Sequence, residues 1–209
     1  NVKVIIDDGR RYLNRTRDKY DVIVIDPPPP IETAGSSLLY SIEFYKVITE
    51  HLKKNGIFHQ WFPEGEAKSF RAVVRSLVDI FPYIKVYKSV EGWGFHFLAS
   101  MQPFKTPTPK DTVSRLPAMA KNDIVEWGGY PWASTWFQQQ RKQFVNGIVP
   151  REVLVEEYFR RSFEKEIPME ILLNQKDELA FISDDQPYNE YYLLRRYRDT
   201  KSGSLEFAR

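Results

Sequence analysis

Along the first half of the chain, apolar positions switch between two rhythms: short β-branched runs and longer stretches spaced three and four apart. Val2, Val4, Ile5 and Ile6 read as a strand over residues 1–6 that ends at Asp7-Asp8-Gly9. Residues 10–19 read as a helix with Tyr12, Leu13 and Thr16 on one side. Val22, Ile23, Val24 and Ile25, bounded by Asp21 and Asp26, read as a strand buried on both faces, as in the middle of a parallel sheet. Prolines 27–30 follow, and because proline has no N–H for a ladder, the chain leaves the sheet at Asp26. Strand, helix and strand make a βαβ unit with a right-handed crossover.

Residues 31–35 read as a loop, after which Ser36 or Ser41 caps a helix running to residue 54, with Leu38, Leu39, Ile42, Tyr45, Ile48 and Leu52 at helical spacing. Asn55-Gly56 predicts a left-handed stop. Residues 57–62 are the next strand, and residues 66–80 a helix with Phe70, Val73, Val74 and Leu77 as its buried stripe. Residues 84–88 and 93–100 alternate on either side of a tight turn and predict an antiparallel hairpin. The pattern over residues 1–100 is therefore α/β, a mostly parallel sheet that ends in an antiparallel hairpin.

Pro103, Pro107 and Pro109 mark residues 101–110 as a linker, and residues 111–209 read as a mostly helical appendage. Trp127, Trp132 and Trp136 suggest an aromatic-rich turn, serving either as a lid over a ligand or as the docking face of the appendage. Pro150 begins a helix with Val153, Leu154, Tyr158 and Phe159 along its buried side, with Arg160-Arg161 solvated. A further short helix is expected over residues 168–173.

Charge and composition narrow the classes. Thirty basic and 28 acidic residues give a net charge of +2, too little to recruit nucleic acid or an anionic membrane surface. With no cysteine there are no disulfides and no thiolate ligands, which fits a reducing compartment and a cytoplasmic location. His51, on the polar side of its helix, His59 and His96 are scattered, so no metal is expected. No apolar run approaches the roughly 20 residues of a membrane span.

Two places carry candidate chemistry. Asp26 stands at the carboxyl edge of a strand, where open α/β sheets bind ligands, and is either a site carboxylate or simply the strand's end. Asp184-Asp185, beside Pro187-Tyr188-Asn189-Glu190-Tyr191, either hold the ammonium groups of an amine or cap a turn.

Asp7-Asp8-Gly9-Arg10-Arg11-Tyr12-Leu13, Tyr20-Asp21-Val22-Ile23-Val24-Ile25-Asp26-Pro27, Ser37-Leu38-Leu39-Tyr40-Ser41-Ile42-Glu43-Phe44-Tyr45 and Asn55-Gly56-Ile57 resemble spermidine synthase, the polyamine aminopropyltransferase family. The Asp26–proline run and residues 183–191 resemble the spermidine-synthase-like domains fused to membrane transporters. The resemblance implies a Rossmann-like class I methyltransferase/spermidine synthase fold, and aminopropyl transfer from decarboxylated S-adenosylmethionine to a small amine. It implies that Asp8 and Gly9 contact the cofactor's adenine, that Asp26 with Pro27 lies near the transferred group as the surviving catalytic acid, and that Gln60 or Trp61 touches the substrate. The chain departs from the family in having Pro29 where a second acid takes the proton from the attacking amine, and proline cannot do that.

The family's glycine-rich turn and ribose-binding acid both precede the motif seen here as Asp8-Gly9. The chain therefore reads as a carboxyl-terminal portion with an incomplete cofactor site, expected to pair with a missing amino-terminal half or with another copy. Two rival expectations follow: an S-adenosylmethionine-dependent methyltransferase, because Asp-Pro-Pro after this strand also resembles methylating enzymes, and a non-catalytic regulatory or assembly domain of a membrane fusion.

Overall fold

A computed structural model describes residues 2–26, 31–63, 65–90, 92–131, 133–173 and 180–201. In chain order the elements are α1 (Gly9–Arg15), β1 (Tyr20–Ile25), a 3-10 turn (Ser36–Leu39), α2 (Ile42–His51), β2 (Leu52–Phe62), α3 (Ala67–Val78), β3 (Tyr83–Lys88) and β4 (Phe95–Ser100). There follow α4 (Pro109–Arg115), α5 (Ala118–Trp127), α6 (Thr135–Val145), α7 (Arg151–Phe163), β5 (Glu166–Ile167), α8 (Met169–Leu173), a second 3-10 turn (Tyr188–Tyr191) and α9 (Tyr192–Lys201). The strands form one open sheet in the order β1-β2-β4-β3-β5. β1 and β2 run parallel, with Ile25 opposite Gln60. β3 and β4 are neighbours joined by a turn closed by the Ser89 N–H on the Gly94 carbonyl. So short a connection makes them antiparallel. The mixed α/β, Rossmann-like architecture expected from the sequence is thus present.

Four local expectations are corrected. Residues 2–6 form no strand, and Val2, Val4 and Ile6 stand exposed; extended backbone needs a neighbour to take its N–H and C=O groups, and no described strand lies beside it. β1 is an edge strand rather than a central one, with Val22 54% and Val24 59% exposed. Asn55-Gly56 does not stop a helix. α2 ends at His51, and the chain passes straight into β2, where a register irregularity takes up the extra residues between the Tyr20–Leu52 and Val22–Ile57 pairs. Gly56 is needed there by space, because a Cβ would lie 3.0 Å from Leu52 Cβ and from the Lys53 carbonyl oxygen. His51, read as lying on the polar side of its helix, is buried with Nδ1 3.0 Å from the Asp18 carbonyl oxygen.

The chain divides into two compact units. The first comprises Asn1–Lys85, Phe97–Pro103 and Pro168–Arg209. Its core is aromatic: Phe58 stacks on Phe81 and packs against Tyr45, while Phe62 meets the edges or faces of Tyr40, Phe70 and Phe97. The second unit comprises Val86–His96 and Phe104–Ile167. Here Thr108 and Asp111 form a capping box that starts α4, so the proline-rich segment becomes helical at Pro109. Its core gathers Val113, Val125, Ala133, Phe137, Leu154 and Val155, with Trp136 stacked on Phe137 and Arg161 lying 4.2 Å over the Trp136 ring. Val153, expected on the buried side of α7, is exposed and Val155 takes its place. Trp132 lies outside the described residues.

Candidate functional site

Parallel strands deliver their carboxyl ends to one edge, and the register of β1 on β2 sets Asp26, one residue past Ile25, level with Trp61, one residue past Gln60. Asp26 is exposed at that edge. Pro27 lies outside the described residues. Ile31 is buried, and residues 31–41 wrap back to α2 through the 3-10 turn.

That loop is held from far along the chain. The buried Asn189 amide donates to the Ile31 carbonyl and, at 2.8 Å, to Ser36 Oγ. Ser37 N–H donates to Glu190 at 3.0 Å. Burial pushes the Glu190 carboxyl up, but the hydrogen bonds from Ser37 and Gly35 outweigh it and hold it below the usual glutamate range. Ser41 both caps α2 and donates its hydroxyl to Asp184 at 2.7 Å. Ile42 N–H donates to the Ile182 carbonyl, and Ile182 N–H donates to Ser76 Oγ. The late motif therefore acts as a clasp on the loop that follows Asp26.

At the start of α1 the Asp8 carboxylate accepts the Arg11 N–H and so caps the helix. Gly9 is the first helical residue, and a Cβ there would meet nothing within 4 Å, so the chain's own packing does not demand a glycine. Arg10 forks onto both oxygens of Asp184, at 2.8 and 2.5 Å, and reaches the Leu38 carbonyl. The guanidinium first, and the Ser41 hydroxyl after it, hold Asp184 below its ordinary value against the opposing effect of burial. Asp184 is thus matched by a cation of the chain, whereas Asp185 is exposed on the turn.

Gln60 and Trp61 part company because adjacent strand residues face opposite sides. Gln60 is fully buried, accepting the Tyr45 hydroxyl at 2.7 Å and donating to the Leu39 carbonyl at 3.0 Å. Both ends of its amide serve the protein, and Trp61 is the half-exposed member of the pair. Tyr45→Phe would leave the buried Gln60 oxygen without this donor and should cost about 1–3 kcal/mol in urea denaturation. A loss below about 0.5 kcal/mol, within the range of neutral surface changes, would show that Gln60 finds another partner.

Two residues of this edge were not singled out by sequence reasoning. Tyr40 is 1% exposed and packs edge-on against Phe62 at 5.9 Å, yet its hydroxyl has no hydrogen-bond partner among the described residues. Burial, and then the charges of Glu32 and Asp26, push that phenol well above its usual range, so it stays protonated. Glu32 is half-buried, with Oε1 3.4 Å from where a Cβ on Gly65, just beyond the end of β2, would sit. The only available signal for Glu32 was its place in a short loop after Asp26, and loop glutamates are ordinarily solvated.

Among the described residues no group of three or more His, Asp or Glu side chains could hold a metal ion, and no helix is long and apolar enough to cross a membrane.

Comparison with known proteins bears on residues 1–90, which match the profile of the spermine/spermidine synthase domain. A polyamine aminopropyltransferase 2 of Hyperthermus butylicus is 30% identical over 101 residues, covering 45% of this chain and 33% of that protein. A polyamine aminopropyltransferase of Saccharolobus islandicus is 42% identical over 99 residues, covering 44% and 33% respectively. Of solved structures, the spermidine synthase of Thermotoga maritima superposes with a TM-score of 0.41 at 26% identity, over 48% of this chain and 35% of that one. The matches thus span about a third of each relative's length. Residues 1–90 are therefore similar to the spermine/spermidine synthase domain family.

Proposed function

We infer that this chain is part of a transferase that moves an aminopropyl group from decarboxylated S-adenosylmethionine to a small amine. The observation that carries the reading is the exposed Asp26 at the shared carboxyl edge of β1 and β2, within a segment whose relatives are polyamine aminopropyltransferases. The residues present suit an adenosyl group. Asp8 would accept the exocyclic amine of adenine, Gly9 leaves its neighbourhood open to a flat ring, and Asp26 would stand near the transferred carbon. The bound donor supplies a sulfonium whose neighbouring carbon is electrophilic. The chain's part is to orient that carbon, collect the amine and remove its proton.

The test is calorimetric titration of the full-length protein with decarboxylated S-adenosylmethionine, S-adenosylmethionine and methylthioadenosine, followed by assay of amine transfer. Preference for the decarboxylated donor supports the reading, while preference for S-adenosylmethionine points to methyl transfer. Asp26→Asn should lower transfer by about a hundredfold or more while the melting temperature stays within a degree or two of the parent. Full activity in that variant would reduce Asp26 to the end of a strand. Pro29 in place of an acid favours one other reading, a non-catalytic domain, which predicts no transfer to any amine.

A further inference from the structure

We propose that Glu32 supplies the second carboxylate that Pro29 cannot, acting as the proton acceptor for the incoming amine at a subsite formed with Asp26 and the Tyr40 hydroxyl. The proposal rests on the aminopropyl-transfer reading above.

Three observations converge on it. Glu32 follows Pro29 by three positions, and its carboxylate lies over Gly65, beyond the end of β2, at the edge where β1 delivers Asp26. The Tyr40 hydroxyl is sealed from solvent without a partner among the described residues, at a position that feels the charges of both acids. Buried hydroxyls without a partner are uncommon and mark a place where a bound group completes the hydrogen bonding. Finally, the loop carrying Glu32 and Tyr40 is fastened at Ile31, Ser36, Ser37 and Ser41 by Asn189, Glu190 and Asp184, so the acid is held on a supported segment.

The chemistry needs such a group. The amine nitrogen's lone pair attacks the methylene carbon bonded to the donor's sulfonium. As the new C–N bond forms, the C–S bond breaks and its electron pair returns to sulfur, giving a neutral thioether. The surplus proton on nitrogen passes to the Glu32 carboxylate. Asp26 balances the cationic nitrogen, and the Tyr40 oxygen accepts a further N–H. An amine flanked by two carboxylates and a phenol is oriented by charge as well as by hydrogen bonds, which suits a linear diamine over a neutral acceptor.

The experiment compares wild type, Glu32→Gln, Glu32→Asp and Tyr40→Phe in the full-length protein, with putrescine as the acceptor probe and methylthioadenosine as the nucleoside probe. Glu32→Gln should cut kcat/KM for the diamine by about a hundredfold or more. It should leave methylthioadenosine affinity within about twofold of wild type, since one tenfold step is about 1.4 kcal/mol and the nucleoside needs no contact with Glu32. Glu32→Asp should recover part of the rate, and Tyr40→Phe should raise the KM for the diamine more than it lowers kcat. Full turnover in Glu32→Gln overturns the proposal and leaves the transferase reading standing. A wild type that binds the nucleoside but transfers to no amine also overturns it. A wild type that binds no adenosyl ligand defeats both.

Discussion

Phe62→Ala should cost about 3–5 kcal/mol, the range for emptying a fully buried aromatic site whose surroundings close only in part. Phe62 has no exposed surface, and three rings pack on it: Tyr40 at 5.9 Å, Phe70 at 5.5 Å and Phe97 at 6.1 Å, all near edge-to-face. Those rings come from the loop after β1, from α3 and from β4, so none can follow the lost side chain without leaving its own element. Edge-to-face pairs add about 0.5–1.5 kcal/mol beyond area, which places this site toward the upper end. Phe70→Ala, at a half-buried position, should cost less. Denaturation in urea measures both, and an equal or smaller loss for Phe62 would show that the cluster collapses to fill the gap. Because Tyr40 leans on Phe62, the substitution also loosens the wall of the proposed amine subsite.

How much of the fold is legible in the sequence depends on the range of the interactions involved. β1, α2, α3 and the β3–β4 pair were legible because each is written in local periodicity and capping: Ser41 before α2, or the β-branched run before the prolines. Residues 2–6 have the same composition as a strand, but a strand requires a neighbour, and periodicity within a segment carries no information about what lies beside it. The exposure of Val22 and Val24 has the same origin. Gln60 against Trp61 turned on a one-residue register, which in a strand decides between the core and the open face.

The late acids illustrate the opposite limit. Asp184 reads as a ligand for an ammonium group, and the structure does give it a cation, but from Arg10, 174 positions away. Asn189 and Glu190 likewise earn their meaning only from partners in residues 31–37. Glu32 lies in no motif, and Tyr40 lies in one only as a member of the Ser37–Tyr45 segment with no role of its own; what distinguishes them is an unpartnered hydroxyl and the charges around it.

The other large effect is expected at Arg195. This residue forks onto Glu66, donates to the Tyr188 carbonyl and to Ser69 Oγ, and lies 4.0 Å over the Tyr188 ring. The two side chains of the ion pair are only 14% and 15% exposed, so Arg195→Ala leaves a nearly buried carboxylate without its cation. Such a loss should cost about 3 kcal/mol at neutral pH, well above the 0–1 kcal/mol typical of surface pairs. Its pH dependence separates lost charge pairing from lost packing. In the parent protein burial pushes the Glu66 carboxyl up, but Arg195 and Ser69 bring it below its ordinary value of about 4.3. Its contribution is therefore complete above that value and fades as pH falls through the depressed folded-state pKa. Without Arg195, burial dominates and the folded-state pKa rises above the unfolded one, so the variant's penalty grows as pH climbs past about 4.3. Urea denaturation at pH values near 4 and 7 should accordingly show a smaller gap between variant and parent at the acidic point. The double change Glu66→Met with Arg195→Met should regain part of the loss at neutral pH, because a buried pair replaced on both sides strands no charge. Equal gaps at both pH values, with no recovery in the double variant, would mean that Arg195 contributes by packing on Tyr188 and not through Glu66.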